Sequence, residues 1–166
     1  MKNKNKGFSL VELVIVIAII TILTGLISVG VGLAVNKPAD ECAEKLKSSM
    51  QSLRVTTMGK FDSYMEIYVS GDKIYAKEYL IDAEGNVTTK ENLVGAKGVH
   101  LSYEKDNSGT YTELTSSDKI TVSYSRSSGA FSNSRAGYYC TGIKIWKGDR
   151  EVNLTLYKLT GKIIVE

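Results

Sequence analysis

Residues 6–20 read KGFSLVELVIVIAII, and one of them, Glu12, is out of keeping with its surroundings. It stands four residues after Phe8, at the front of a run with no other charged side chain before Lys37. Carrying an acidic residue into a bilayer is unfavourable by about 2.5–3.5 kcal/mol near the centre of a helix. The stretch Leu13–Val35 is interrupted only by Thr, Ser and Gly. As a helix it would extend about 30 Å or more, enough to cross a bilayer. Lys2, Lys4 and Lys6 precede the run and few flanking charges come directly after it, Lys37 being the first. This asymmetry predicts a cytoplasmic leader and a body on the far side of the membrane.

Working outward past Pro38, the pattern changes. Ala39, Ala43, Leu46, Met50 and Leu53 recur at steps of three and four, while Asp40, Glu41, Glu44, Lys45 and Lys47 fill much of the remaining circumference. That spacing predicts an amphipathic helix with one face for packing. Pro38 is expected to kink a longer helix or to begin a new segment, with Asp40 and Glu41 in its first turn. From Phe8 to about Met58 the chain can form one long helix, apolar in its first half and amphipathic in its second. Gly25, Gly30 and Gly32 weaken the apolar half by roughly 1 kcal/mol each relative to Ala, and permit close helix approach.

After Gly59 the period becomes two, which predicts strands. Tyr64–Val69 and Lys73–Ile81 flank a turn at Ser70-Gly71-Asp72, and a second turn at Asp82–Asn86 leads to Val87–Leu93. Further strands are expected at Val99–Glu104, Tyr111–Leu114, Ile120–Ser125, Tyr138–Trp146, Val152–Leu159 and Ile163–Val165. The polar segment Ser125–Gly137, SRSSGAFSNSRAG, reads as a loop with few core-forming residues and, with Arg126, Phe131 and Arg135, as a variable exposed surface. The fold class is therefore α+β: a long N-terminal helix whose amphipathic half is covered by one antiparallel sheet. The domain boundaries are 1–7, 8–35, 36–58 and 59–166.

Composition narrows the chemistry. The net charge of +3 resides in the leader, since 18 acidic residues balance the Lys and Arg beyond Gly7. A balanced body argues against strongly electrostatic nucleic-acid binding. Lys144, Lys147 and Arg150 around Trp146 form a small basic-aromatic cluster that would suit DNA or a surface polymer, or a strand edge protected by lysines. His100 is the single histidine and the two cysteines are Cys42 and Cys140, so a Cys/His metal site is not expected. In an exported body, Cys42 and Cys140 would either bridge helix to sheet or remain two small buried thiols. Asp82, Glu84 and Asn86 alternate as calcium ligands do, but the later glutamate of such a loop is missing and a solvated hairpin turn is the simpler reading. Asn86-Val-Thr and Asn153-Leu-Thr match a glycosylation triplet that also arises by chance. No catalytic constellation or cofactor motif stands out, so no enzymatic activity is expected.

Three readings of the N-terminus compete. A secretory signal peptide would use Gly32-Leu33-Ala34 for cleavage, but its apolar core of about 19 residues exceeds the usual 7–15. A plain membrane anchor leaves Glu12 without a use. In the third reading, Gly7-Phe8-Ser9-Leu10-Val11-Glu12, after a basic leader and before a long apolar run, resembles the prepilin signature of type IV pilins and pseudopilins. The resemblance covers roughly the first 50 residues.

The resemblance implies cleavage between Gly7 and Phe8 by a membrane prepilin peptidase, methylation of the new Phe8 amine, and retention of the apolar segment. It further implies that Glu12 meets the Phe8 amine of a neighbouring subunit and sets the register of assembly. Implied partners are the peptidase, a platform membrane protein with its assembly ATPase, and other pilins in a homo- or heteropolymer. The chain would pass through the membrane once before joining a surface pilus or a pseudopilus. A secretion or DNA-uptake pseudopilin and a minor tip pilin with a binding head are the alternatives within this class; a monomeric membrane-anchored binding protein lies outside it. Two departures from the family pattern stand out: the apolar run lacks the common mid-run proline, and a single cysteine near the C-terminus precludes the C-terminal disulfide loop of many relatives.

Overall fold

The computed structural model describes residues 10–59 and 61–166, with side chains at these positions other than 22–36. The chain separates into two compact units, Met1–Val35 and Asn36–Glu166. Helix α1 (Leu10–Gly59) opens the described chain and contains Pro38 within it. The Asp40 carboxylate receives the Arg150 guanidinium at 2.7 Å.

Among the described residues, ten strands follow. They are β1 (Asp62–Ser70), β2 (Lys73–Ile81), β3 (Val87–Gly95), β4 (His100–Lys105), β5 (Tyr111–Glu113), β6 (Lys119–Tyr124), β7 (Phe131–Ser132), β8 (Cys140–Lys147), β9 (Arg150–Tyr157) and β10 (Lys162–Val165). They form two antiparallel sheets, ordered β3-β2-β1-β6-β7 and β10-β9-β8-β4-β5, where the sequence suggested one. The period-two pattern identifies which face of a strand is buried, but not which strands pair. Here the β3–β4 connection passes to the second sheet, while β6 returns to pair with β1.

One core joins these layers. On α1, Ala39, Cys42, Ala43, Leu46, Met50 and Leu53 are fully buried, as the spacing predicts. The first sheet adds Met65, Ile67, Ile74 and Ala76, the second Leu101, Ile143, Ile145 and Leu154. Strict alternation in β1 and β2 turns Met65, Ile67, Ile74 and Ala76 inward and leaves Tyr64, Tyr68, Tyr75 and Tyr79 on the other face. Each of the larger aliphatic side chains contributes about 1.5–3 kcal/mol by leaving water.

The segment Ser125–Gly137 departs from the expected exposed loop. Phe131 is buried in β7 and stacks on Tyr124 with ring centroids 4.6 Å apart. Its backbone N–H donates to the Lys158 carbonyl at 3.0 Å, tying the first sheet to the turn between β9 and β10. One aromatic residue suffices to anchor an otherwise polar segment when it finds a partner ring. Arg135 is likewise held, paired with Asp62 and lying over the Tyr64 ring at 4.9 Å.

At this junction Gly161 has φ +64°, and a side chain there would collide with the Gly129 carbonyl oxygen. Gly161→Ala is expected to lower stability by about 2–5 kcal/mol, combining backbone strain with overpacking. Gly71 has φ +56° but open space around it, so Gly71→Ala should lose only about 1–2 kcal/mol. Urea unfolding of the full chain, followed by Trp146 fluorescence, tests the difference; equal losses would show that the Gly129 contact is unimportant.

Candidate functional site

Two regions carry the residues singled out by sequence. Gly7 and Phe8 lie outside the described residues. Glu12 is exposed in the first turn of α1, at its third residue. A carboxylate there complements the unpaired N–H groups and the positive end of the helix dipole. Around Glu12, nine large apolar side chains from Leu10 to Ile20 are between 49% and 79% exposed. No helix is long and apolar enough to cross a membrane among the described residues, and much of Leu13–Val35 has no described side chains.

The outer face of the first sheet carries a tyrosine ladder. Tyr64 stacks on Tyr79 at 4.5 Å and Tyr68 on Tyr75 at 5.9 Å, both pairs directly opposite in the β1–β2 register. Cations flank the first pair, Arg135 over Tyr64 and Lys77 over Tyr79. Glu66 accepts from the Tyr79 hydroxyl at 3.1 Å and from Lys119 at 2.6 Å, while the Tyr68 hydroxyl donates to Glu91 at 2.6 Å. That hydrogen bond, with burial and the negative charge of Glu91, pushes the Tyr68 phenol up to about 12. The face is therefore internally satisfied.

The outer face of the second sheet is organised differently. His100, Trp146 and Glu151 form one cross-strand row, and Ser102, Lys144 and Asn153 the next. His100 stacks on Trp146 at 5.5 Å, and its Nδ1 lies 3.1 Å from Glu113 Oε1. The expected basic cluster around Trp146 is dispersed. Lys144 sits 3.5 Å from Glu151 and 4.6 Å over the Tyr111 ring, Lys147 donates to the Lys97 carbonyl, and Arg150 reaches Asp40 on α1. Cations near in sequence separate here because alternate residues of a strand face opposite sides and a turn redirects the third.

The remaining candidates have structural explanations. Asp82 accepts from the backbone N–H of Glu84 and Asn86 and from the Asn86 side chain at 2.8–3.0 Å, closing the turn. These bonds lower its carboxyl from the usual range. No group of three His, Cys, Asp or Glu side chains able to hold a metal occurs among the described residues. Of the two triplet asparagines, Asn86 is exposed in that turn, whereas Asn153 lies half-buried within β9.

The bridge considered between Cys42 and Cys140 is not made: both are buried free thiols. The Asp40–Arg150 pair brings the α1 end near Cys42 to the β8–β9 turn. Cys140 begins β8 at its opposite end, within electrostatic reach of Tyr124, which also feels Arg54 further along α1. A strand of that length spans about 20 Å or more, whereas a disulfide needs Cα atoms closer than about 7 Å.

Residues 2–28 match the family described as the prokaryotic N-terminal methylation motif. This is the type IV pilin and pseudopilin signature, and the chain carries it. It supports a type IV pilin-like or pseudopilin precursor. The motif implies a membrane-inserted precursor that is cleaved by a prepilin peptidase and polymerises with other pilins. No curated protein and no solved structure was found to match the chain.

Burial pushes the thiols of Cys42 and Cys140 from 9.0 up to about 12. Neither should react with a thiol reagent at pH 8 until the chain is unfolded, and the intact mass should be that of two free thiols before and after reductant. Because the folded values are raised, the unfolded chain releases these protons first. Stability should be insensitive to the pair below about pH 9 and fall between about pH 9 and 12, with a slope of at most about 1.4 kcal/mol per pH unit for each thiol. Rapid labelling of the native protein would contradict the burial.

Proposed function

We propose that this chain is the structural subunit of a type IV pilus or pilus-like filament, made as a membrane prepilin and polymerised through its N-terminal helix. The observation that carries the reading is the methylation motif at residues 2–28, with Glu12 at the fifth position after the proposed cut. In this scheme residues 1–7 are removed, 8–35 anchor and then assemble, 36–58 join the core, and 59–166 form the head. Phe8 supplies the methylated amine. The peptidase, a platform protein with its ATPase, and neighbouring pilins are the partners.

The exposed apolar side chains from Leu10 to Ile20 support this reading. A helix apolar around its circumference requires an apolar environment. Bilayer and filament core supply that environment in turn. Within an apolar bundle, attraction between the Glu12 carboxylate and a neighbour's Phe8 amine is strengthened, and leaving either unpaired costs about 3–5 kcal/mol. Apolar surfaces alone slide past one another; one charge pair per subunit specifies register.

The mature chain should begin at Phe8 with a methylated amine, detected by mass spectrometry of sheared surface filaments. A start at Val35, or retention of residues 1–7, would reject the pilin reading. Glu12→Ala should be cleaved and exported normally yet fall at least about tenfold in sheared filaments, consistent with a loss exceeding 1.4 kcal/mol in assembly. Normal filament yield from that variant would refute the register role alone.

A further inference from the structure

We propose that the hollow beside Trp146, on the outer face of the second sheet, binds a neutral, hydroxyl-rich oligosaccharide. Trp146 is the only tryptophan of the chain, is partly exposed, and stacks on His100 at 5.5 Å. Beside it lies a hollow of about 320 Å³ lined by Trp146, Ser102, Lys144, Gly148, Asp149 and Glu151. That volume falls at the lower end of small-ligand clefts, about 300–1,000 Å³.

The lining selects the ligand chemistry. Trp146 supplies the apolar part of the lining, the element that would pack on the C–H face of a pyranose ring. Around it stand two carboxylates, an ammonium and a hydroxyl, which together both accept and donate hydrogen bonds to ring hydroxyls. Gly148, with φ +58°, brings the β8–β9 turn to the rim without a side chain. An apolar ligand would leave these polar groups unpaired. A polyanion would meet two carboxylates, Asp149 and Glu151, against one cation of the hollow, Lys144. Phosphate recognition needs the opposite balance.

The full chain is purified in a zwitterionic detergent, since sugar-headed detergents would compete. Its single tryptophan reports directly on the site. Titration with cellohexaose, maltohexaose and chitohexaose should give a saturable change in Trp146 fluorescence for at least one of them. Calorimetry with that sugar should show binding weakened about tenfold or more by Glu151→Gln and abolished by Trp146→Ala, with Trp146→Phe intermediate. Circular dichroism confirms that each variant retains its strands. The proposal is overturned if none of the three sugars binds at up to about 10 mM. It is equally overturned if binding is unchanged in both Glu151→Gln and Trp146→Phe, or if a thymidine oligonucleotide binds the hollow more tightly than every sugar.

Discussion

The head depends on a single buried stripe. Ala39, Ala43, Leu46, Met50, Leu53 and Thr57 follow one another by three or four residues along α1, with Cys42 beside Ala43, and each is essentially inaccessible to water. Both sheets contribute to the core that contains this stripe. The sheets are also linked locally, through the Phe131–Lys158 hydrogen bond, but the helix stripe supplies much of the continuous apolar surface. Its small residues lie toward one end and its large ones toward the other, a gradient expected to let backbone and sheet approach more closely near Ala39 and Ala43.

Outside that core, the charges of the head are largely engaged with one another. Asp40 takes Arg150, Asp62 takes Arg135, Glu66 takes Lys119, and Lys144 meets Glu151. Exposed pairs of this kind contribute about 0–1 kcal/mol each, so they are not the source of stability. Their consequence is electrostatic: a balanced composition becomes a surface without a concentrated cationic patch at Trp146. Composition alone predicted the balance; the distribution required three dimensions, because Arg150 and its partner Asp40 are far apart in sequence.

Much of the fold was legible because it is periodic. The alternation in YMEIYV and KIYAKEYLI identifies β1 and β2, and β2 has the predicted bounds Lys73–Ile81. The α1 stripe was equally clear from its three- and four-residue steps. What failed to show was non-local. Nothing in the alternation of β4 says that it pairs with β8 rather than β3, so two sheets were read as one. Phe131 was assigned to the surface because its neighbours are Ser, Gly and Asn, yet its environment is set by Tyr124. The Cys42–Cys140 bridge failed for a related reason: the residues were correctly placed on a helix and a strand, but the direction of β8 separates them. At the N-terminus the order is reversed. Residue type and spacing identify the motif at residues 2–28 before any tertiary contact is considered.

Magnitudes clarify what Glu12 requires. At the third residue of α1, its charge gains about 0.3–1 kcal/mol from the helix dipole, and about 2 kcal/mol in favourable partly buried geometry. That is less than the roughly 2.5–3.5 kcal/mol penalty of an acidic residue at the bilayer centre. Helix-start electrostatics therefore cannot by itself carry this side chain through a membrane. A position near the headgroups lowers the penalty for the isolated subunit, whereas an apolar filament interior raises it again and calls for a countercharge. In the proposed scheme both conditions favour a carboxylate close along the chain to the new amine. A cut several residues earlier would separate the two groups along the chain; a cut after Gly32-Leu33-Ala34 would remove Glu12 altogether. In the proposed scheme the four-residue interval from Phe8 to Glu12 links membrane insertion to assembly, and it would set a costly carboxylate at the edge of this segment rather than within it.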